Sequence, residues 1–397
     1  MRAPSRSIVV LSAVAFFVMM GVSIVSPVIP DYAFSFGVSF ALAGLLVSGF
    51  GIARFLLDLP AGMLADRVGT RRFMLLGLGI IAVSSLIAGL APSYSVLLVA
   101  RIFEGVGSAI YSTTSLTAVS RSAPPESRGA SLSLYMSMFL VGTVIGPVIG
   151  GFTAEHFGLG APFTVYGLFA AFSAVLVWKT IGRGAVTEVS SVPISARQLL
   201  GLLRKYDVVT INLATVCVFV IRQGILNTLV PIFGRLNIGL SLGELGVILS
   251  VGAVGNLFTM LLAGTLTDRL GRKPFFIAGL GLAALFIALL PFVTSPLQLT
   301  AVIFGLSLSL GLAGPMAAWL TDVVEPRELG GAMGLFRTVG DLGFVLAPVI
   351  LAALAGSGGT VTSLPFFLAA GVIALLTLPL LWTRDPVGEM RRVRPNL

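Results

Sequence analysis

The sequence predicts an all-α membrane protein, with twelve transmembrane helices in two related six-helix bundles. Its composition, the spacing of its apolar segments and a repeated loop lead to this fold class. Of the 397 residues, 56% are hydrophobic and only 10% are charged, whereas a soluble domain carries about 25% charged residues. The mean hydropathy is +1.04. Because so apolar a chain cannot cover a water-facing surface, we expect a lipid bilayer around most of it.

Twelve apolar segments are long enough to cross a membrane, since a bilayer core about 30 Å thick requires about 20 apolar residues in a helix. They are 7–30, 40–65, 73–91, 95–120, 129–154, 161–181, 207–233, 241–266, 274–292, 297–321, 329–355 and 362–383. The first follows two arginines, as a signal peptide does, but is longer than the apolar core of one and lacks a cleavage site. We therefore expect it to remain as a helix.

The basic residues predict the orientation. With twelve spans, both termini lie on one side, and the loops on that side carry 20 of the 25 Lys and Arg residues, whereas the opposite loops carry one, Arg235. This asymmetry is typical of a multi-pass protein of the cell membrane with both termini in the cytoplasm. It also accounts for the formal charge of +9 without a nucleic-acid partner.

The longest connection divides the chain. We expect an N-terminal bundle over 1–182, a cytoplasmic linker over 183–206 and a C-terminal bundle over 207–397. The linker contains leucines interleaved with basic residues around Arg197 and Arg204. This pattern predicts a short helix lying on the inner membrane surface.

A loop sequence occurs twice. "AGMLADRVGTRR" spans 61–72 and "AGTLTDRLGRKP" spans 263–274, an offset of 202 residues. With twelve spans in two halves, this pair resembles the loop signature of the major facilitator superfamily. The matching residues are Gly62, Asp66, Arg67, Gly69, Arg71 and Arg72 in the first copy, and Gly264, Asp268, Arg269, Gly271, Arg272 and Lys273 in the second.

Two further segments carry the resemblance. "RIFEGVGSA", from Arg101, is similar to the fourth-helix motif built on a membrane arginine. "GTVIGPVIGG" is similar to the fifth-helix motif of the proton-coupled antiporters, with Gly142, Gly146, Pro147, Gly150 and Gly151. The glycine spacing allows another helix to approach closely, and Pro147 allows a kink. Glycine packing with no bearing on the direction of coupling is the alternative reading.

The resemblance implies a role for the loops. Asp66 is expected to face the N-terminus of the eleventh helix, where the helix dipole favours an anion, and Asp268 that of the fifth helix. Such contacts close the cytoplasmic side and break when it opens. The loops are then conformational latches and not substrate sites.

Charges that the repeat does not share are better candidates for function. Seven charges lie in the interior of the spans, away from the first and last few residues, and none has a like charge at the equivalent position of the other half. They are Arg54, Asp58, Arg101, Glu104, Arg222, Arg337 and Asp341. A charge at mid-helix costs about 2.5–3.5 kcal/mol on an insertion scale, so we do not expect these side chains to face lipid.

Three of these arginines precede an acid by three or four residues, which places both charges on one helix face. The pairs are Arg54/Asp58, Arg101/Glu104 and Arg337/Asp341. They either neutralise themselves for burial or form a gate of charge pairs in a cavity. Similar depth also suggests crossed pairs between the second and eleventh helices, Asp58 with Arg337 and Arg54 with Asp341. Exchanging the charges of Asp58 and Arg337 should then restore some transport that Asp58→Arg abolishes.

Proton coupling requires a carboxyl group whose protonation depends on the access state. An arginine that moves toward and away from a buried acid provides this, because burial favours the neutral acid and the arginine favours the carboxylate. We rank Asp58 and Asp341 first, ahead of Glu104 and Asp31.

The seventh helix carries polar groups at Arg222, Gln223 and Asn227. Arg222 has no acid within one turn. It is predicted to hold an anionic or zwitterionic group of the substrate, or to be neutralised by Asp31 or Glu104 from another helix. Further candidates for substrate contact are Tyr111, Tyr135, Asn256, Trp319 and Phe336.

Three classes of function are considered for this sequence, and they agree with it to different degrees. The fifth-helix motif favours a proton-coupled exporter of small amphipathic compounds, including drugs. A proton-coupled symporter or facilitator of a sugar, organic acid or other metabolite is the alternative. A receptor or scaffold would not need seven charges within its spans. An enzyme is not expected, because the chain has one cysteine, one histidine and no phosphate-binding loop. We expect a monomer with no metal and no cofactor, driven by the proton gradient.

Overall fold

The computed structural model describes residues 5–123, 128–181, 201–314, 316–356 and 359–393, and these are helical throughout, with turns between the helices. Within them, twelve helices are long and apolar enough to cross a bilayer. They are Arg6–Val25, Phe40–Asp58, Thr70–Gly89, Tyr94–Ser120, Gly129–Phe157, Ala161–Thr180, Tyr206–Ile238, Leu242–Leu270, Lys273–Phe292, Pro296–Val323, Leu329–Leu354 and Leu364–Trp382. The prediction of twelve spans is confirmed, and these membrane helices are numbered first to twelfth in chain order.

Several helices run beyond their apolar spans or change type. The second continues to Val68, the fourth to Ser122, and the fifth starts at Arg128. The tenth consists of Pro296–Leu312 and Met316–Val323, and the twelfth of Leu364–Thr377 with a 3₁₀ turn over Leu378–Trp382. A final short helix covers Pro386–Val393.

Contacts divide the chain into two compact units. Unit 1 comprises Met1–Ser191 and Leu240–Ser250, and unit 2 comprises Val192–Gly239 and Val251–Leu397. The first turns of the eighth helix therefore group with the first six helices. The predicted boundary at 182/183 lies outside the described residues and stays a prediction.

The repeat is visible in the capping of two equivalent helices. Ser93 Oγ accepts a hydrogen bond from Val96 N–H before the fourth helix, and Ser295 Oγ accepts one from Gln298 N–H before the tenth. A serine at this position satisfies a backbone donor that the first helical turn leaves unpaired. The offset of 202 residues that relates the loops thus also relates these caps.

The first predicted span, 7–30, is too long. The first helix ends at Val25, and a separate short helix covers Ile29–Phe34. Pro30 lies in its first turn, where the missing N–H of proline costs no hydrogen bond. Tyr32 fixes this helix by donating a hydrogen bond of 3.0 Å to Ala88 O.

The seventh predicted span, 207–233, is too short. The helix continues to Ile238 and changes to π-helical geometry over Val220–Leu229 and Gly234–Ile238. Pro231 lies two residues after the end of the first π segment, and a proline ring crowds the carbonyl four residues earlier. A wider turn relieves that crowding, and π segments are frequent at functional sites.

The predicted linker helix falls mainly on residues 182–200, outside the described part of the chain. The described end of the linker is helical at Gly201 and Leu202. Leu202 is buried, and Lys205 directly precedes the seventh helix. This end of the linker therefore packs against unit 2.

Candidate functional site

The predicted glycine face of the fifth helix lies directly on the first helix. A Cβ atom at Gly142 would lie 2.5 Å from Phe16 O, and one at Gly150 would lie 1.8 Å from Ile24 O. Gly146 is as close, with 2.7 Å to Met20 O. The close approach predicted from the spacing is confirmed, because only hydrogen fits at these three positions.

The opposite side of the same motif contacts the start of the eighth helix within unit 1. A Cβ atom at Gly151 would lie 2.2 Å from Leu242 O, and one at Gly246 would lie 2.3 Å from Pro147 O. One residue beyond the proline, Val148 N–H donates a hydrogen bond of 3.2 Å to Ser250 Oγ. The motif is thus a tight backbone contact on two sides of one helix.

Glu155 extends this contact. Its Oε2 accepts a hydrogen bond of 2.8 Å from Gly243 N–H at the start of the eighth helix. A carboxylate is favoured there, because the first turn of a helix presents unpaired N–H groups and the positive end of the dipole. The sequence analysis missed Glu155, since nothing local in the sequence links it to Gly243.

Arg101 and Glu104 form a closed pair in the interior of unit 1. Arg101 Nη1 contacts Glu104 Oε2, and Ser85 Oγ donates a hydrogen bond of 2.7 Å to the other carboxylate oxygen. The guanidinium lies 4.8 Å from the centre of the Phe50 ring. With Glu104 0% exposed and Arg101 4% exposed, this geometry favours the reading of a self-neutralised structural pair.

Arg54 and Asp58 are also brought together, but loosely. Arg54 Nη2 lies 3.7 Å from Asp58 Oδ2, beyond the range of a good charge-assisted hydrogen bond. Arg54 Nε is enclosed and makes no hydrogen bond. Arg54 and Asp58 are therefore bound to each other less tightly than Arg101 and Glu104.

The eleventh helix buries Asp341, which is 5% exposed, and leaves Arg337 exposed. The crossed pairs of Asp58 with Arg337 and Arg54 with Asp341 would join the two units, and they stay a prediction. Asp31 lies in the short helix after the first membrane helix, half-buried.

The polar residues of the seventh helix lie in its first π segment. Arg222, Gln223 and Asn227 are half-buried, whereas Ile221 and Ile225 are 0% exposed. Asn227 Nδ2 donates a hydrogen bond of 2.9 Å to Gln223 Oε1. The structure thus places the three predicted residues on the more accessible part of one helix surface, within unit 2.

The other predicted substrate residues are divided between the two units. Tyr111 and Tyr135 are buried in unit 1, where Tyr135 OH lies 2.7 Å from Ser115 Oγ. Asn256 Nδ2 donates a hydrogen bond to Ser307 O in unit 2, and Phe336 is half-buried in the eleventh helix. Since these residues lie in different units, a common role in binding stays a prediction.

Trp319 is fully buried, and its contacts favour packing over substrate binding. Its ring stacks on Phe276 at 5.2 Å between centroids, and its Nε1–H donates a hydrogen bond of 2.9 Å to Arg384 O. Both contacts tie the tenth helix to neighbouring parts of unit 2. A tryptophan so enclosed has no face left for a ligand.

The two loop copies share their backbone and one long-range contact. Gly69 has φ +92° and Gly271 has φ +93°, values that favour glycine. Arg71 Nη2 donates a hydrogen bond to Trp178 O, and Lys273 Nζ donates one to Leu381 O. In each unit a loop cation therefore binds a carbonyl near the end of that unit's last membrane helix.

The second copy has an additional ion cluster. Arg272 Nη1 lies 3.1 Å from Asp268 Oδ1, and its Nε contacts Asp322 Oδ2. The equivalent positions in the first half are Thr70 and Ser120. The sequence analysis missed Asp322, although the joint replacement of both partners at the same offset was a readable signal.

Two of the remaining latch residues are exposed arginines. Arg72 is exposed, and Arg269 is exposed at the end of the eighth helix. The side chains of Asp66 and Arg67, like Gly62, lie outside the described residues. The predicted contacts of Asp66 and Asp268 with helix ends of the other half stay predictions.

Comparison with known proteins decides the family. The sequence profile of the Major Facilitator Superfamily matches residues 11–241 and 211–396. The chain belongs to the major facilitator superfamily. It is a membrane transporter and not an enzyme, and the predicted fold class is confirmed.

Similar members of the superfamily include two bacterial efflux proteins. Multidrug resistance protein 2 of Bacillus subtilis is 27% identical, with 94% of this chain and 93% of that protein covered. A multi-drug resistance efflux pump PmrA homolog of Lactococcus lactis is 26% identical, with 86% of each covered. A crystal structure of the peptide transporter POT in complex with sulfate matches with a TM-score of 0.82 at 15% identity, covering 97% of this chain and 95% of that one. The last likeness concerns the fold alone.

Proposed function

We propose that this superfamily member is a proton-coupled exporter of small amphipathic organic compounds that works by alternating access. The observation that carries the proposal is the fifth-helix motif. Its sequence resembles that of proton-coupled antiporters, and its glycines hold the helix against backbone on two sides. Relatives named for multidrug resistance support export.

Asp58 and Asp341 are the proposed proton carriers. Asp341 is buried in the eleventh helix, and Asp58 lies 3.7 Å from Arg54, a loose ion pair. A moving arginine changes the balance between carboxylate and carboxylic acid at such a site. Glu104 is a weaker candidate, because Arg101 and Ser85 already occupy both of its oxygens. A group so firmly held exchanges its proton less readily.

We place both termini in the cytoplasm, from the basic loops, and we expect a monomer driven by the proton gradient alone. The two loops are proposed as cytoplasmic latches. Arg71 and Lys273 give each latch a fixed position within its own unit, because each binds its loop to the end of a membrane helix.

Proton exchange in proteoliposomes tests the function. Purified protein is reconstituted with a pH-sensitive dye inside, and amphipathic anions, zwitterions and cations are added in turn. Antiport predicts that a transported compound moves against the direction of the proton. Symport predicts movement in the same direction. A rate that is unchanged when both sides are clamped at one pH, without net proton movement, indicates a facilitator and contradicts the proposal.

Three variants assign the proton site. Asp58→Asn and Asp341→Asn should abolish substrate-dependent proton movement while the protein remains folded. Glu104→Gln, which keeps two hydrogen-bonding atoms next to Arg101 and Ser85, serves as the matched control and should retain coupling. Loss of coupling in Glu104→Gln alone would move the assignment to Glu104.

A further inference from the structure

Arg222 occupies the middle of the seventh membrane helix. It lies 16 residues from each end of the span Tyr206–Ile238, which is about 24 Å at a rise of 1.5 Å per residue. This depth is that of the bilayer midplane, where secondary transporters hold their substrates. The surrounding turns are π-helical, so the backbone is irregular at the same depth.

The charge of Arg222 has no counterpart in the protein as far as it is described. Its Nε is enclosed and makes no hydrogen bond, and none of the ion pairs among the described residues includes it. Glu104, one of the two acids considered as its partner, is bound by Arg101 and Ser85. An unpaired cation at this depth is costly, so the site is suited to an incoming anion.

The neighbouring amide is oriented to support an anion. Gln223 Oε1 accepts the hydrogen bond from Asn227 Nδ2, and this assigns Gln223 Nε2 as the donor that remains. The guanidinium of Arg222 and this N–H of Gln223 are donors on consecutive residues. Carboxylates and tetrahedral oxyanions such as phosphonates accept such hydrogen bonds in pairs, and charge-assisted bonds of this kind are the strong ones.

An apolar surface adjoins these donors. Phe219 is half-buried and lies three residues before Arg222, which is one helical turn. Its ring stacks on Phe344 of the eleventh helix, with 6.4 Å between centroids. Gly224 also packs the seventh helix on the eleventh, since a Cβ atom there would lie 2.9 Å from Ala347 Cβ. This packing fixes the orientation of the helix and of its polar surface.

We propose that the transported compound is an amphipathic organic anion. Its carboxylate, sulfonate or phosphonate group binds Arg222 and Gln223, and its apolar body contacts Phe219. The inference rests on the proposed transport function and names the substrate class of that site. Arg222 is a binding residue here and takes no part in moving the proton.

Binding of four naphthalene derivatives to the purified protein in detergent tests the proposal. Naphthoate and naphthalenesulfonate carry an anion, naphthamide is neutral and naphthyltrimethylammonium is a cation on the same ring. Isothermal titration calorimetry at neutral pH should show that both anions bind at least about tenfold more tightly than the amide or the cation, which corresponds to about 1.4 kcal/mol. Equal binding of the amide or the cation, or no binding of either anion, overturns the proposal.

Two variants attribute the preference to one side chain. Arg222→Met should remove the preference for anions, and Arg235→Met, an arginine further along the same helix, should leave it unchanged. Arg222→Met should also unfold at the same or a higher temperature than the native protein, since it removes a half-buried charge that has no counter-ion among the described residues. A preference for anions that persists in Arg222→Met contradicts the proposal.

The proton gradient plays no part in this measurement. A protein that binds anions but exchanges no protons would contradict the proposed antiport and leave the substrate class standing. A protein that exchanges protons for cations would do the reverse. The two proposals therefore fail separately.

Discussion

Lys205 and Glu328 fasten the end of the linker to the start of the eleventh helix. Lys205 Nζ lies 2.8 Å from Glu328 Oε1 and 2.6 Å from Oε2, so one ammonium group binds both carboxylate oxygens. Within unit 2, this pair connects the residue before the seventh helix with the residue before the eleventh. The described end of the linker is thus attached to a helix that carries Arg337 and Asp341.

The stability contributed by this pair should depend on pH. The hydrogen bonds from Lys205 hold the pKa of the Glu328 carboxyl below its usual value of 4.5. A carboxyl with a lowered pKa in the folded state stabilises the protein above its unfolded pKa, and loses that effect as the pH falls through the folded value. Glu328→Gln should therefore lower the unfolding temperature slightly at neutral pH, and this loss should disappear at an acid pH below the folded pKa of Glu328.

The effect should be small, because Lys205 is 39% and Glu328 25% exposed in their side chains. Exposed pairs contribute about 0.2–1 kcal/mol. Differential scanning fluorimetry of Glu328→Gln, Lys205→Gln and the double variant at both pH values measures it. The double variant should be no less stable than either single variant at neutral pH. A loss that is the same at every pH would show that the carboxylate charge is not involved.

Gly150→Ala should destabilise the protein. The added methyl group would lie 1.8 Å from Ile24 O, so the first and fifth helices must separate. Overpacking of this kind costs about 1–3 kcal/mol. Gly79→Ala is the matched control, because a Cβ atom at Gly79 has nothing within 4 Å and alanine is the better helix former by about 1 kcal/mol. Thermal unfolding should show a lower midpoint for the first variant and the same or a higher midpoint for the second.

The fold was predictable because its signals are local. Each span is a run of apolar residues, and the face of Gly142, Gly146 and Gly150 follows from helical spacing alone. The helix that fills this face was not predictable, because spacing defines a contact surface without naming its partner. The structure identifies it as the first helix, through Phe16 and Ile24.

The site was predictable only in part. Helical spacing correctly paired Arg101 with Glu104 and Arg54 with Asp58. It did not predict that the first pair is tightly bound and the second is loose. Part of the difference comes from Ser85 on the third helix, which donates a hydrogen bond to the second carboxylate oxygen of Glu104. The π-helical turns around Arg222 could not be predicted from the periodicity of the sequence, because they depend on how side chains pack in three dimensions.

The cluster at Arg272 gives a prediction drawn from the repeat. Arg272 is 9% exposed and binds Asp268 and Asp322, whereas the first half has Thr70 and Ser120 at the positions of Arg272 and Asp322. Arg272→Thr should cost about 1–3 kcal/mol, since two carboxylates lose a charged partner. Adding Asp322→Ser should recover part of the loss. Thermal unfolding of the single and double variants measures the coupling, and strictly additive losses would refute it.

The same comparison predicts the behaviour of the buried pair in unit 1. The second half has Ile303 and Leu306 at the positions of Arg101 and Glu104, and both are 0% exposed. Arg101→Ile alone leaves the Glu104 carboxylate buried without its cation, and Glu104→Leu alone leaves the arginine. Breaking a buried pair in this way costs about 3–5 kcal/mol.

The double variant Arg101→Ile/Glu104→Leu should recover most of that loss, because replacing a buried pair by apolar residues of similar volume is often neutral or stabilising. Its residual defect should come from Ser85, whose hydroxyl loses the acceptor 2.7 Å away, and Ser85→Ala should reduce it. Fluorescence-detected size exclusion after heating ranks the four variants. If the double variant remains folded and still exchanges protons for substrate, the pair is structural; if it is stable but transports nothing, Glu104 belongs to the coupling machinery after all.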